Sequence, residues 1–184
     1  MQIEGNRESS GFKTFWTGGT PAEKTAFTTT WVECESQRQV LREVYRSWSQ
    51  AVPFQRWKAN SRSEALALIQ HEVWQAHCGL QPYPEIAVVD AYGKVFGVMC
   101  SYYHSGQRYV FIQHIALHPA LLWPNHTPPV PAEVLVEAAM DKSIEAGCFG
   151  WVAASPERGQ EAFWRSLGFF KHDAFTYRKM GYFT

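Results

Sequence analysis

The sequence has no excess of charge of either sign. Its 184 residues include 17 Lys or Arg and 17 Asp or Glu, so the formal net charge is zero. Proteins that bind nucleic acid or anionic membranes use clustered positive charge to neutralise phosphate groups. The composition therefore argues against a nucleic-acid partner and against a membrane partner.

The sequence also lacks the patterns of secreted and membrane-spanning proteins. No apolar run approaches the roughly 18 residues that a transmembrane helix needs, and the N-terminal residues show no apolar signal segment. The four cysteines form no CxxC pair and lie far apart, at Cys34, Cys78, Cys100 and Cys148. We expect a cytoplasmic protein whose reduced thiols pack as small apolar side chains.

Several familiar catalytic motifs are missing as well. There is no G-x-S-x-G nucleophile elbow, no P-loop and no paired-carboxylate signature. His114 and His118 fall on one face of a predicted strand, but zinc needs three or four converging ligands, and no Cys or carboxylate follows at a suitable spacing. We therefore predict no bound metal.

The length of the chain favours a single domain with one core. Residues 1–24 are polar and rich in Gly, Ser and Thr, which is typical of a loose lead-in. Residues 25–184 contain the periodic apolar patterns, and the 46% hydrophobic fraction is sufficient to fill a core. We predict that residues 25–184 form the domain.

Two helices are predicted after a first strand at 26–33. Ser36 to Gln39 has the pattern of a capping box, in which the serine side chain accepts a helical N–H and the glutamine side chain binds the serine N–H in return. Ser61 to Glu64 repeats this pattern, and apolar residues recur at helical spacing behind both. The two boxes predict helices at 36–50 and 61–77.

The rest of the chain alternates strands and helices. Three strands joined by short turns must pair in antiparallel fashion, and after Pro119 the apolar period changes from two to about 3.6. The predicted elements are strands at 85–90, 95–103 and 108–118, a helix at 131–146, a strand at 150–155, a helix at 157–167 and a strand at 172–180. This order predicts an α/β (α+β) fold with one mixed, twisted sheet and helices on both faces.

Two local patterns give this order a resemblance to a known family. Ile115-Ala-Leu-His-Pro119 is similar to the "LAVHP" that closes the fourth strand of the GNAT (N-acetyltransferase) superfamily. Ala162-Phe-Trp-Arg-Ser-Leu-Gly-Phe169 is similar to the family's "LYEKLGF". The two patterns are separated by the elements that the family has there. The chain from about Ala26 to Met180 thus resembles a single GNAT domain.

The resemblance implies an acyl-CoA-dependent N-acyltransferase that uses acetyl-CoA as co-substrate. The acceptor would be a small-molecule or peptide amine. In the family, the fourth and fifth strands splay apart and the pantetheine arm lies along the main chain of the fourth, a role that would fall to Ile115 and Leu117. The pyrophosphate would bind at the N-terminus of the helix predicted at 131–146, where free N–H groups and the helix dipole favour anions.

The loop that would hold this pyrophosphate departs from the family pattern Q/R-x-x-G-x-G/A. Thr127 stands where Gln or Arg is expected, Val130 stands where glycine is expected, and Ala132 fits the last small position. The three prolines of the loop carry no N–H. We expect Thr127, Val130 and Ala132 to occupy the cofactor-binding positions of a degenerate phosphate site.

The acid–base residues implied by the resemblance also differ from the family. Gln113 and His114 stand where many members have a Glu base; an amide cannot act as a base, whereas an imidazole exchanges protons near neutral pH. His114 or a water molecule is therefore the expected base. Trp164 replaces the family's Tyr acid, and Glu157 stands where an Asn often contacts the cofactor. Tyr102, Tyr103 and Tyr177 are candidates for the missing acid, and we select Tyr177.

Two alternatives stay open from the sequence. The departures also fit a catalytically inactive GNAT-fold protein that binds a ligand or partner and does not use acetyl-CoA. A GNAT-like enzyme with an aminoacyl-tRNA donor is the other, which the zero net charge argues against. The sequence leaves the assembly open, a homodimer included.

Overall fold

The computed structural model describes residues 26–51, 61–121, 128–156, 159–173 and 176–180. In chain order the elements are β1 (Thr28–Val32), α1 (Cys34–Ala51), α2 (Ser61–His77), β2 (Glu85–Ala91), β3 (Lys94–His104), β4 (Tyr109–Leu117), α3 (Val130–Glu145), β5 (Val152–Ala154), α4 (Glu161–Ser166), β6 (Phe170–Lys171) and β7 (Tyr177–Lys179). None of the described helices combines the length and apolar character needed to cross a bilayer.

The described strands form one seven-stranded sheet in the order β1-β2-β3-β4-β5-β7-β6. Neighbouring strands are antiparallel, with the exception of the parallel pair β4 and β5. A parallel pair needs a crossover connection, and α3 supplies it between the two strands. The predicted fold class, a mixed sheet with helices on both faces, is confirmed.

The two faces of the sheet bury separate clusters of apolar side chains. The face covered by α1 and α2, here called the α2 face, includes the fully buried Trp48, whose Nε1 donates to the carbonyl oxygen of Val95 at 2.9 Å. The opposite face, here called the α3 face, buries Leu135 of α3 together with Trp164 of α4. Side chains alternate between the faces along each strand, so both clusters draw on β2, β3 and β4.

The capping box predicted for α1 is wrong. The helix begins at Cys34, and the N–H of Ser36 already donates to the carbonyl oxygen of Glu33 at 2.9 Å. The side-chain nitrogen of Gln39 donates forward to Oε1 of Glu43 at 3.0 Å. Because β1 ends only two residues earlier, the chain enters the helix directly from the strand. The helix predicted from Ser61 does begin there, and the side chains of residues 61–63 lie outside the described part.

The bounds of the strand predicted at 172–180 are also wrong, because within this range the described strand is β7 (Tyr177–Lys179), and a break separates it from β6 (Phe170–Lys171). The break is a turn in which Oδ1 of Asp173 accepts the N–H of Thr176 at 2.8 Å, and the N–H of His172 donates back to the Thr176 carbonyl oxygen at 3.0 Å. An aspartate that bonds nearby main chain in this way is a common turn former. β7 thereby lies between β5 and β6.

Candidate active site

β4 and β5 part within the sheet. Their parallel pairing covers three positions, from Val110 opposite Val152 to Ile112 opposite Ala154. β4 continues to Leu117 and stays paired with β3 as far as Gly97. Within the described residues, the β5-facing edge of β4 from 113 to 117 therefore has no strand beside it, and its main-chain groups face a gap.

A β-bulge lies at the point where the strands part. Cys100 of β3 is opposite His114, but the next residue, Ser101, is opposite Ile112, so Gln113 is an extra residue on β4. Such a bulge bends its strand and redirects the side chains that follow. After it, His114 shares the α2 face with Ala116, whereas Leu117 belongs to the cluster on the α3 face.

The gap opens into a cavity of about 450 Å³. Its walls come from β4, the first turns of α2, the residue that precedes α3, the segment after β5, and α4. The lining residues are Glu64, Ala65, Leu68, Phe111, Gln113, His114, Ile115, Leu117, Pro129, Ser155, Gly159, Gln160, Phe163 and Trp164. The structure thus brings five residues singled out from the sequence to one cavity: Gln113, His114, Ile115, Leu117 and Trp164.

Other residues predicted for the site lie elsewhere. Tyr177 is buried in the core, on β7 opposite Ala154, and is not among the residues that line the cavity. Val130 and Ala132 are buried in the first turn of α3, and Pro129 reaches the cavity in their place. Thr127 and Glu157 lie outside the described residues.

The start of α3 offers few main-chain donors. Pro129 precedes the helix in an extended conformation, with φ −62° and ψ 136°. Its carbonyl oxygen accepts the N–H of Ala132 at 2.8 Å and that of Glu133 at 3.3 Å. Pro131 has no N–H. Among the first four residues of the helix, at most the N–H of Val130 is left for an anion.

Trp164 is a buried hydrogen-bond donor in the cavity wall. The side chain is 4% exposed and packs edge-to-face on Phe163 and Phe169, at ring distances of 5.5 Å and 5.0 Å. Its Nε1 has no hydrogen-bond acceptor in the described part of the chain. Buried donors without acceptors are rare in folded proteins because they lose their bonds to water. Trp164 is thus a cavity-lining residue whose buried indole N–H has no acceptor among the described residues.

Sequence reasoning did not identify the residues that α2 contributes to the wall. Glu64, Ala65 and Leu68 lie in its first turns, about 50 residues before β4. The helical pattern of this segment shows which residues pack on the sheet, but it carries no signal that the helix start borders a gap between β4 and β5.

A polar contact beside the cavity joins α2 to the sheet. Oη of Tyr102 on β3 donates to Oε2 of Glu72 at 2.7 Å, and Nε2 of Gln81 donates to the same oxygen at 2.8 Å. Burial, followed by the hydrogen bond to Glu72, raises the pKa of Tyr102. Tyr102 is opposite Phe111, which lines the cavity. This tyrosine therefore acts as a structural donor and is a weaker acid than a free phenol.

No group of three or more His, Cys, Asp or Glu side chains within the described ranges is arranged to hold a metal ion. The polar groups on the cavity wall are instead an imidazole, two side-chain amides, a hydroxyl, an indole N–H and one carboxylate. These groups suit proton transfer and hydrogen bonding to an organic ligand.

Comparison with known proteins supports the fold. No family model matches the sequence, and no curated protein matches it. A GNAT-family protein from Desulfovibrio desulfuricans is similar in structure, with a TM-score of 0.55, 14% identity, and coverage of 84% of this chain and 99% of that chain. Tetrahymena GCN5 has a TM-score of 0.51 and 11% identity, over 85% of this chain and 96% of its own.

A third similar structure is the PaiA N-acetyltransferase from Thermoplasma acidophilum, which was solved in complex with coenzyme A. Its TM-score is 0.50 at 13% identity, and the match covers 84% of this chain and 98% of that one. At such identities the similarity establishes a GNAT-like fold and leaves the chemistry to be argued from the residues present.

Proposed function

We propose that this protein is an acyl-CoA-dependent N-acyltransferase that transfers an acetyl group to a primary amine. The observation that carries the proposal is the parting of β4 from β5 after Ile112, which leaves the main chain of residues 113–117 along a cavity of about 450 Å³. An extended chain of amides can add to such an edge as a strand would. A protein of similar fold was crystallised with coenzyme A.

The residues of the gap fit the thioester end of acetyl-CoA, which would supply an activated carbonyl carbon. Main-chain groups at Ile115 and Leu117 would pair with the amides of the pantetheine arm. The indole N–H of Trp164 would donate to the thioester, because this buried donor lacks an acceptor in the described part of the protein. An indole N–H can stabilise a developing negative charge, but it does not release its proton.

His114 is the proposed base, acting directly or through a water molecule. A primary amine is largely an ammonium ion at neutral pH, and it must lose a proton before its lone pair can attack. The nitrogen then bonds to the acetyl carbon, and the carbon–sulfur bond breaks with its electron pair going to sulfur. Of the two protons that leave the nitrogen, one ends on the thiolate and one reaches solvent. Gln113, beside His114, cannot act as a base.

A second candidate is a GNAT-fold protein that binds a ligand without catalysis and does not use acetyl-CoA. It is favoured by the start of α3, where Pro131 has no N–H and Pro129 accepts the next two N–H groups. The described cavity-lining residues also include no Lys or Arg. Diphosphates are normally bound by helix N-termini and basic side chains, so the described residues hold that part of the cofactor poorly.

Calorimetric titration with acetyl-CoA, together with an acetyl-transfer assay on a panel of amines, tests the proposal. We expect saturable binding and transfer, and we expect His114→Ala to lower kcat about 10²- to 10⁴-fold while acetyl-CoA still binds. His71→Ala is the control, because His71 is exposed on α2 and does not line the cavity. Absence of both heat and transfer at millimolar acetyl-CoA would favour the non-catalytic candidate.

A further inference from the structure

Among the described residues of the cavity wall, one carries a negative charge and none carries a positive charge. Glu64, in the first turn of α2, is the one carboxylate among the described lining residues, and these residues include no Lys or Arg. Glu64 is exposed, and within the described ranges no basic side chain is paired with it. Its charge can therefore act on a molecule that enters the cavity.

The described lining residues also include apolar and aromatic side chains. Ala65 and Leu68 follow Glu64 along α2, and Phe111 of β4 lines the same cavity. Aromatic rings attract cations through the negative charge of their faces. A wall with one carboxylate and aromatic faces favours an occupant that has a positive charge and an apolar body.

Trp164 adds an unpartnered donor to the residues that line the same cavity. Its side chain is buried, at 4% exposure, and its Nε1 has no acceptor in the described part of the chain. Occupants that carry a hydrogen-bond acceptor and a positive charge would complement the described residues Trp164 and Glu64. A neutral thioester provides the acceptor, and an ammonium group provides the charge.

We propose that Glu64 selects the acceptor substrate by binding its ammonium group, so that the substrates are apolar or aromatic amines without a neighbouring carboxylate. The inference rests on the proposed function, because it names the class of amine that reaches His114. Glu64 is a specificity residue in this scheme: it attracts the protonated amine, and His114 removes the proton. A carboxylate on the carbon that bears the amine would be repelled by Glu64 and would find no described cationic partner in the cavity wall.

The first test compares 2-phenylethylamine with L-phenylalanine, two amines that differ by one carboxylate. We expect the wild-type protein to acetylate 2-phenylethylamine with the higher kcat/KM. Glu64→Gln should raise KM for 2-phenylethylamine about fivefold, the size of one unit-charge interaction at about 4 Å in water. For Glu64→Gln, kcat and the KM for acetyl-CoA should stay unchanged. Glu64→Lys should shift the preference toward L-phenylalanine.

Glu145→Gln is the matched control. It removes the same charge from an exposed site in the last turn of α3, which does not line this cavity. A glutamate in the first turn of a helix also stabilises the helix dipole. Loss of that effect would lower the melting temperature of Glu64→Gln, but it would leave the preference between the two amines unchanged.

The outcomes separate this inference from the proposed function. Equal kcat/KM for the two amines, with no effect of Glu64→Gln, would overturn the role of Glu64 and leave the acetyltransferase intact. If no amine is acetylated, calorimetric titration with 2-phenylethylamine alone decides the matter. Binding that weakens in Glu64→Gln but not in Glu145→Gln would support the ammonium site in a non-catalytic protein, and binding insensitive to Glu64 would overturn it.

Discussion

The hydroxyl of Tyr102 donates a 2.7 Å hydrogen bond to Oε2 of Glu72 and so joins β3 to α2. The same carboxylate oxygen accepts Nε2 of Gln81, which lies beyond the end of the helix. α2 is the helix whose first turns, at Glu64 and Leu68, form one wall of the cavity. The contact therefore fixes the position of that wall relative to β4.

We expect Tyr102→Phe to lower the free energy of unfolding by about 1 kcal/mol at neutral pH, a value discounted for the partial exposure of the ring. The difference in unfolding free energy between wild type and Tyr102→Phe should narrow above about pH 10, where a phenol in the unfolded chain titrates. The pKa of Tyr102 is raised in the folded protein, so above that pH the unfolded chain holds fewer protons and wild-type stability falls as pH rises.

Urea unfolding of both proteins from neutral pH to about pH 11 measures this difference. Tyr83→Phe is the control, because it removes the hydroxyl of an exposed tyrosine. A difference that stays constant across the alkaline range would show that the hydroxyl of Tyr102 does not remain protonated preferentially in the folded state.

Gly97 sets the distance between β3 and α3. A Cβ at this position would lie 2.8 Å from Cγ1 of Val89 and 2.9 Å from Cδ1 of Leu135, closer than real side chains approach. We expect Gly97→Ala to lower the free energy of unfolding by about 1 to 3 kcal/mol, the usual cost of overpacking a core. Gly106→Ala, where a Cβ would meet nothing within 4 Å, should change stability by less than about 0.5 kcal/mol. Equal effects in chemical denaturation would contradict the close packing.

The long elements could be predicted because the residues of each one show the apolar period of a strand or a helix. The stripe of α3 and the turns between β2, β3 and β4 are local signals, and the structure contains them as predicted. Element ends were less predictable. The helix α1 begins two residues after β1 ends, and the turn that joins Asp173 to Thr176 delays the start of the last strand to Tyr177.

The cavity residues that could be predicted lie in or beside the two motifs, and Trp164 belongs to the second. Ile115 and Leu117 belong to the first motif, and Gln113 and His114 precede it on the same strand. Glu64 could not be found, because its place depends on how α2 packs beside the gap. Tyr177 was selected as a tyrosine on a strand, but its direction depends on the register of β7 against β5, and a shift of one residue reverses the face.

The four cysteines should react unequally with a thiol reagent. Cys34 and Cys78 are exposed, whereas Cys100 and Cys148 are buried. Burial raises the pKa of Cys100, which keeps it in the unreactive thiol form. When the protein has been prepared with its thiols reduced, Ellman's reagent should titrate two thiols in the native state and four in denaturant. Cys34→Ala and Cys78→Ala should each remove one fast thiol, and rapid reaction of a third thiol would contradict the packing of the core.

The efficiency of acetyl transfer should depend little on whether the acyl donor carries a diphosphate. The first turn of α3 offers at most the N–H of Val130 to an anion, because Pro131 has none and Pro129 accepts the next two. We expect acetyl-pantetheine to reach a kcat/KM within about tenfold of acetyl-CoA, a loss of at most about 1.4 kcal/mol. A loss of a thousandfold or more would show that the diphosphate has strong contacts elsewhere. Parallel assays of the two donors with one amine make the comparison.

Trp164→Phe tests whether the indole N–H serves the ligand. Replacing a buried indole by a smaller ring removes contacts and leaves a void, but here it also removes a donor that lacks a partner in the described part of the chain. We therefore expect a loss of stability of at most about 2 kcal/mol without ligand, because deleting an unsatisfied polar group offsets part of the packing cost.

At saturating acetyl-CoA, the difference in stability between the wild type and Trp164→Phe should be larger than without ligand. The wild type gains a hydrogen bond from Trp164 to the bound thioester, so its melting temperature should rise further on addition of ligand than that of Trp164→Phe. The affinity for acetyl-CoA should fall about threefold to tenfold, the size of one hydrogen bond of roughly 1 kcal/mol. Phe163→Leu is the control, since it alters the neighbouring ring on the cavity wall without changing a donor. An equal rise in melting temperature for wild type and Trp164→Phe would mean that the indole N–H bonds to water or to another part of the chain, and that the thioester does not reach it.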